Sequence, residues 1–221
     1  MMTMRYAPVR IVRDGLLSPR RRAEHIMSMP AVDREGARRW TAREVRDLID
    51  KNPLATPRYE LVDGELLVTP SPSAPHQDAA HLLLQALDAY FKVVPIGHGY
   101  MAPLDVDLEP ELVVQPDVLV VPMPEFERLR REKPPVRELV IAAEILSPSS
   151  GRYDRVKKRA PYQRHVSEYW IVDLDARVFE RWQPNDQRPE IVARELVWLP
   201  SGASEPFQLD LSRYFAEILG E

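Results

Sequence analysis

The chain contains no cysteine. That excludes a disulfide framework, a thiolate metal site and a cysteine nucleophile, and it fits a cytoplasmic location. No run approaches the ~20 apolar residues that a membrane helix needs, and the N-terminus has no apolar signal segment; no membrane partner is expected. There is no glycine-rich phosphate loop of either standard spacing, so no nucleotide cofactor is expected. The Gly-x-Ser-x-Gly elbow of serine hydrolases is also missing. Nor is there an overall basic charge: 30 Lys and Arg against 34 Asp and Glu leave a formal −4. Any contact with nucleic acid must therefore be local.

What is present describes a folded protein. At 221 residues, 44% of them hydrophobic, the chain can bury one good core but not two large ones. The 22 prolines lie between apolar runs and punctuate loops. Residues 1–40 stand apart as a basic N-terminal extension, with Arg20-Arg21-Arg22 and Arg38-Arg39. The extension is either a poorly ordered leader or a basic arm for phosphates. Residues 41–221 read as one domain.

Within it, Thr41 and Glu44 have the spacing of a capping box, opening a helix to about Asp50. Asp63-Gly64 separates two apolar runs and predicts a hairpin. His76 to about Val93 has helical periodicity, with Leu83, Leu84, Leu87, Tyr90 and Phe91 on its apolar side. Strands are expected over Gly97–Leu108, from Asp117 onward, and over Val136–Leu146. A charged helix or loop covers 124–132. Ser147 and Ser149 are positioned to cap a helix that runs to about His165, with Pro161 kinking its last turn. Further strands follow at Tyr169–Val172, Arg177–Trp182 and Ile191–Leu199. Phe207–Leu211 leads into a final helix. Strands with inserted helices indicate one α/β domain with a mixed sheet flanked by helices.

Two carboxylates stand out in this frame. Asp117 heads Val118-Leu119-Val120-Val121, and Glu144 lies inside Leu139-Val140-Ile141-Ala142-Ala143-Glu144-Ile145-Leu146. Such runs read as buried strands, where an ionised carboxylate needs a partner or a cation. Each has an ordinary alternative, a turn residue for Asp117 and an edge-strand acid for Glu144. Asp154, Lys158 and Tyr162 follow at four-residue steps, so a helix would put them on one face. Lys158 could equally be a solvated partner of Asp154; on either reading it is expected to be an exposed helical lysine whose replacement hardly changes folding. Lys157 points elsewhere and reads as solvated. His76 and His81 read as helix-surface residues, since their five-residue gap is not a ligand spacing. A strand Asp, a second-strand Glu and a helix Lys together suggest a divalent-metal site for phosphodiester hydrolysis.

These residues carry a resemblance. Pro116-Asp117, Glu144-Ile145-Leu146-Ser147-Pro148-Ser149, Asp154 with Lys158 and Tyr162, and Glu168-Tyr169-Trp170-Ile171-Val172-Asp173 resemble the Uma family of restriction endonuclease-like proteins. That family is a branch of the PD-(D/E)xK nuclease superfamily. Tyr59-Glu60-Leu61-Val62-Asp63-Gly64-Glu65-Leu66 and His76 match it too, and the likeness spans about 41–200. It implies a restriction-endonuclease-like mixed β-sheet flanked by helices and a Mg²⁺- or Mn²⁺-dependent endonuclease acting on DNA. Asp117, Glu144 and the backbone carbonyl of Ile145 would hold the metal, and Lys158 would orient or deprotonate water or stabilise charge. Glu60 would add a ligand or bind a metal-bound water, Asp154 would steady Lys158, and Tyr162 would position Lys158 or a phosphate. The superfamily lysine two residues after the second acid is Leu146 here, with Lys158 available instead. His165 stands where the family has a helix-ending glycine, which implies a left-handed conformation. The rival reading is a non-catalytic nucleic-acid-binding or assembly protein on the same fold. A homodimer is expected, partly by resemblance and partly from Trp182, Trp198 and Phe207 as surplus aromatic surface.

Overall fold

The computed structural model describes residues 38–52, 56–132, 135–147 and 151–221. The greater part of the expected basic extension, and the cap assigned to Ser149, lie outside them. Helix α1 (Ala42–Lys51) starts at the anticipated capping box: the Thr41 hydroxyl accepts from Glu44 N–H, and the Glu44 carboxylate accepts from Thr41 N–H. Strands β1 (Arg58–Val62) and β2 (Glu65–Thr69) form the hairpin. Asp63 and Gly64 both have positive φ, 51° and 79°, as a type I′ turn requires. Helix α2 is Ala74–Val93 and α3 is Met123–Leu129.

Three expected strands are redrawn. Gly97–Leu108 is two strands, β3 (Gly97–Met101) and β4 (Val106–Glu109), which belong to different sheets. Pro103 sits in the break and leaves no backbone donor there. Ile191–Leu199 likewise divides into β10 (Glu190–Val192) and β11 (Glu195–Trp198), again in different sheets. The strand expected over 136–146 shortens to β7 (Ile141–Ile145). A short β5 (Leu112–Val114) was not anticipated; β6 is Val118–Pro122. Strands β8 (Glu168–Asp173), β9 (Val178–Trp182) and β12 (Phe207–Asp210) and helix α6 (Leu211–Leu219) complete the C-terminal half.

The segment after β7 is helical in three pieces: α4 (Gly151–Tyr153), a wide π-turn over Asp154–Lys158, and α5 (Arg159–His165). Pro161 lies inside α5, and the irregularity falls before that helix, in the π-turn, not in the last turn as expected; such a turn is frequent at functional sites. His165 is not left-handed. Val166 ends the helix in an extended conformation, and its N–H donates to the Tyr162 carbonyl.

The main sheet has the order β10-β9-β8-β7-β6-β3. Among the described residues of this sheet only β7 and β8 run parallel; this makes the sheet mixed, as expected. Alternation sorts its side chains. Val118, Val120, Ile141, Ala143, Trp170 and Val172 face α2, α6 and the β11–β12 pair. Leu119, Val121, Ala142, Tyr169 and Ile171 face the smaller sheet, β2-β1-β5-β4, and α5. Trp198 and Phe207 are buried in the first of these cores and Trp182 in the second. They are not surplus surface and give no support to a dimer. Among the described residues no helix is long and apolar enough to cross a membrane.

Candidate active site

Strand parity decides which way the acids point. Asp117 shares parity with Leu119 and Val121, and Glu144 with Ala142, so both belong to the face that meets the smaller sheet and α5. Antiparallel pairing sets Val118 opposite Ala143, and one step further Asp117 stands opposite Glu144. The pairing is closed by Ile145 N–H donating to Asp117 Oδ2 at 2.9 Å. Ile145 thus touches Asp117 through its N–H.

Around Glu144 the ions are densely packed. Lys158 Nζ lies 3.0 Å from Glu144 Oε1, 2.9 Å from Glu60 Oε2 and 3.5 Å from Asp154 Oδ1. The Tyr162 hydroxyl donates to Glu144 Oε1 at 3.1 Å. Tyr169, packed against Tyr162, donates to the Asp154 carbonyl at 3.0 Å. Glu60 is anchored from the other side by Gln115 N–H at 2.8 Å. Lys158 is therefore buried, not a solvated partner of Asp154; its side chain is 5% exposed. Lys157 faces the hairpin and pairs with Glu65 at 2.9 Å, half exposed.

Around Asp117 are two residues that sequence reasoning missed. Arg58 Nη1 donates to Asp117 Oδ1 at 2.8 Å, and His76 Nε2 lies 3.1 Å from Oδ2. His76 is buried in the first turn of α2 and not a surface residue. His81 is exposed and bonded to Gln85, as read. The signal for Arg58 was present: it lies two residues before Glu60 on the same strand, so it shares that face.

The electrostatics divide the two acids. Burial raises the Asp117 pKa, but the His76 hydrogen bond, the Arg58 charge and the Ile145 N–H outweigh it and bring it to about 2. Burial pushes Glu144 well above the usual carboxylate range. Lys158 opposes this, while Asp154, Asp117 and Glu60 reinforce it. Burial alone would lower the Lys158 pKa, but Glu144, Glu60 and Asp154 hold it well above the ordinary lysine value. The metal-free site thus keeps Asp117 ionised, Lys158 charged and Glu144 inclined to hold a proton.

Asp117, Glu144, Asp154 and Lys158 open onto one cleft of about 200 Å³, rimmed by the loop from Thr69 to Ser73. Among the described residues, Arg58 pairs with Asp117, and Lys158 with Glu60, Glu144 and Asp154. Clustered carboxylates are hard oxygen donors, which match Mg²⁺ or Mn²⁺ in chemistry. Among the described residues no three His, Asp or Glu are already grouped as a metal-ligand set. The fit is one of donor type.

A family model described as "Uma2: Putative restriction endonuclease" matches residues 46–212. Among solved structures, the chain is similar to one described as a putative nuclease belonging to DUF820, from Anabaena variabilis. The TM-score is 0.64 at 22% identity, covering 78% of this chain and 97% of that one; at that identity the likeness speaks for the fold. No curated protein matches the chain. With a family match over most of the chain and this fold, the protein belongs to the Uma2 family, a nuclease-like group with a restriction-endonuclease-like α/β fold.

Proposed function

We propose that this protein is a divalent-metal-dependent endonuclease that hydrolyses phosphodiester bonds in DNA. The observation that carries the reading is the pairing of Asp117 and Glu144, on neighbouring strands and one face, with Lys158 3.0 Å from Glu144. Asp117 and Glu144 would hold Mg²⁺ or Mn²⁺, which supplies charge neutralisation on the phosphate and a more acidic water. Arg58 and His76 keep Asp117 ionised and fix its orientation. Glu60 and Asp154 hold the Lys158 ammonium in place, and Tyr162 orients Glu144.

Lys158 carries three carboxylate neighbours and stays protonated, which favours orienting water or stabilising phosphate charge over taking a proton. It reaches Glu144 from the π-turn, so a charged ammonium is supplied although position 146 is Leu.

The test is cleavage of supercoiled plasmid and of circular single-stranded DNA, with Mg²⁺, with Mn²⁺ and with EDTA. Either DNA should be cut only when metal is present. Asp117→Asn and Glu144→Gln should each reduce cutting by roughly 10²-fold or more. If neither DNA is cut but both are bound, the non-catalytic reading replaces this one.

A further inference from the structure

A second cleft of about 250 Å³ adjoins the first. The two share Asp117, Arg58, His76 and Pro72, so Arg58 and His76 stand as a partition between them. Their chemistry differs. Beyond the partition, the acids and Lys158 of the first cleft give way to apolar groups of Pro72, Ala80, Met101 and Pro103, with the Gln77 amide at the rim. The Arg58 guanidinium is not saturated: Nη1 serves Asp117 and the Gln115 carbonyl, while Nε–H is buried without a hydrogen-bond partner among the described residues.

We propose that this second cleft receives one unstacked nucleoside next to the scissile phosphate, so that the substrate is single-stranded or locally unpaired DNA. The proposal rests on the nuclease reading of the neighbouring cleft and adds to it the strand state of the substrate. Continuity fixes the occupant: whatever brings a phosphate to Asp117 carries its next nucleoside to the far side of Arg58 and His76. Size limits it, since about 250 Å³ is below the roughly 300–1,000 Å³ of pockets for drug-sized ligands. Apolar walls suit the face of a base or a sugar, and the Gln77 amide can meet a base edge. Depth decides strand state. Asp117 and Glu144 are 4% and 2% exposed, and a base stacked in a duplex cannot enter a recess beside them without being flipped out.

The experiment measures binding of a fluorescent single-stranded 12-mer and of its duplex by fluorescence anisotropy, in EDTA so that nothing is cut. Wild type is compared with Gln77→Trp, which fills the cleft from an exposed position outside the carboxylate cluster. The single strand should bind at least 10-fold more tightly than the duplex. Gln77→Trp should lose at least 10-fold on the single strand with an unchanged melting temperature. A duplex with one unpaired nucleotide should recover part of the affinity. Equal binding of single strand and duplex, no single-strand binding, or no effect of Gln77→Trp would each overturn the proposal. Metal-dependent cutting that is indifferent to Gln77→Trp removes this inference and leaves the nuclease reading standing. Single-strand binding sensitive to Gln77→Trp, with no cutting in any metal, does the reverse.

Discussion

Replacing Lys158 by alanine should destabilise the protein strongly and in a pH-dependent way. The ammonium is 5% exposed and lies 2.9, 3.0 and 3.5 Å from carboxylate oxygens of Glu60, Glu144 and Asp154. Removing it leaves three buried acids facing one another. Breaking a buried ion pair by deleting one partner costs about 3–5 kcal/mol. For a domain of this size that lowers the melting temperature by roughly 6–20 °C. Glu144 limits the damage because it can take a proton. Its pKa in the folded protein is already above the ordinary 4.5, and loss of Lys158 moves it further up. A carboxylate raised on folding contributes stability that is complete below about 4.5 and is lost as pH rises through the folded value. The deficit of Lys158→Ala against wild type should therefore be smaller at pH 5 than at pH 8. Lys157→Ala breaks only a half-exposed pair with Glu65 and should cost about 1 kcal/mol or less at either pH. Scanning calorimetry of the three proteins at both pH values decides the matter. A Lys158→Ala melt within 2 °C (about 1 kcal/mol or less) of wild type at pH 8, or equal deficits at both pH values, would refute the assignment of Lys158 as the buried counter-ion of this cluster. Cutting per folded molecule should fall by roughly 10²-fold in Lys158→Ala and much less in Lys157→Ala.

Two other outcomes follow from the same geometry, and a third from the resemblance. Asp117 has a folded pKa of about 2 against an ordinary 3.8, so its contribution to stability is present above about 3.8 and lost as pH falls toward 2; Arg58→Met should narrow that gap and move the acid-unfolding midpoint, followed by circular dichroism, to higher pH. Tyr162→Phe removes the hydroxyl that donates to Glu144 and should cost about 0.5–1.5 kcal/mol in a thermal melt; no change would mean that the bond contributes nothing. The homodimer now stands on family resemblance alone, and light scattering at micromolar concentration should give twice the monomer mass, with a monomer removing it.

The fold was legible where local chemistry is self-sufficient. The Thr41–Glu44 capping box and the Asp63-Gly64 turn need only a few neighbouring residues, and both form as read. It was not legible where a continuous-looking run changes sheets. Gly97–Leu108 alternates well enough for one strand, but β3 pairs with β6 and β4 with β5. No residue inside the run announces that its halves have different partners. The three aromatics misread as surface failed for a related reason. Trp198 and Phe207 lie on a two-stranded sheet that looks like an edge in sequence, and α2, α6 and Trp170 cover it in space.

The candidate site divides along the same line, and charge explains how. Asp117, Glu144 and Lys158 were legible because each breaks a pattern: acids in apolar runs, and a lysine in step with Asp154 and Tyr162. Arg58 and His76 break none. A strand-end arginine and a histidine in the first turn of a helix look solvated, and only the fold brings both within 3.1 Å of Asp117. Yet the sequence held the constraint that demands them. An ionised Asp117 buried to 4% exposure requires donors on both oxygens, and Lys158, committed to Glu60, Glu144 and Asp154, cannot serve it as well. The second acid therefore implied a second cation. The strand that carries Glu60 toward the site also carries the side chain two residues earlier to the same face, and that side chain is Arg58. Leu146 follows from the same accounting. With Lys158 delivered by the π-turn, a lysine at 146 would add a further ammonium to the cluster and, under the proposed function, compete with a divalent metal for the same acids. Leu146 instead packs beside the core on the α5 side of the sheet.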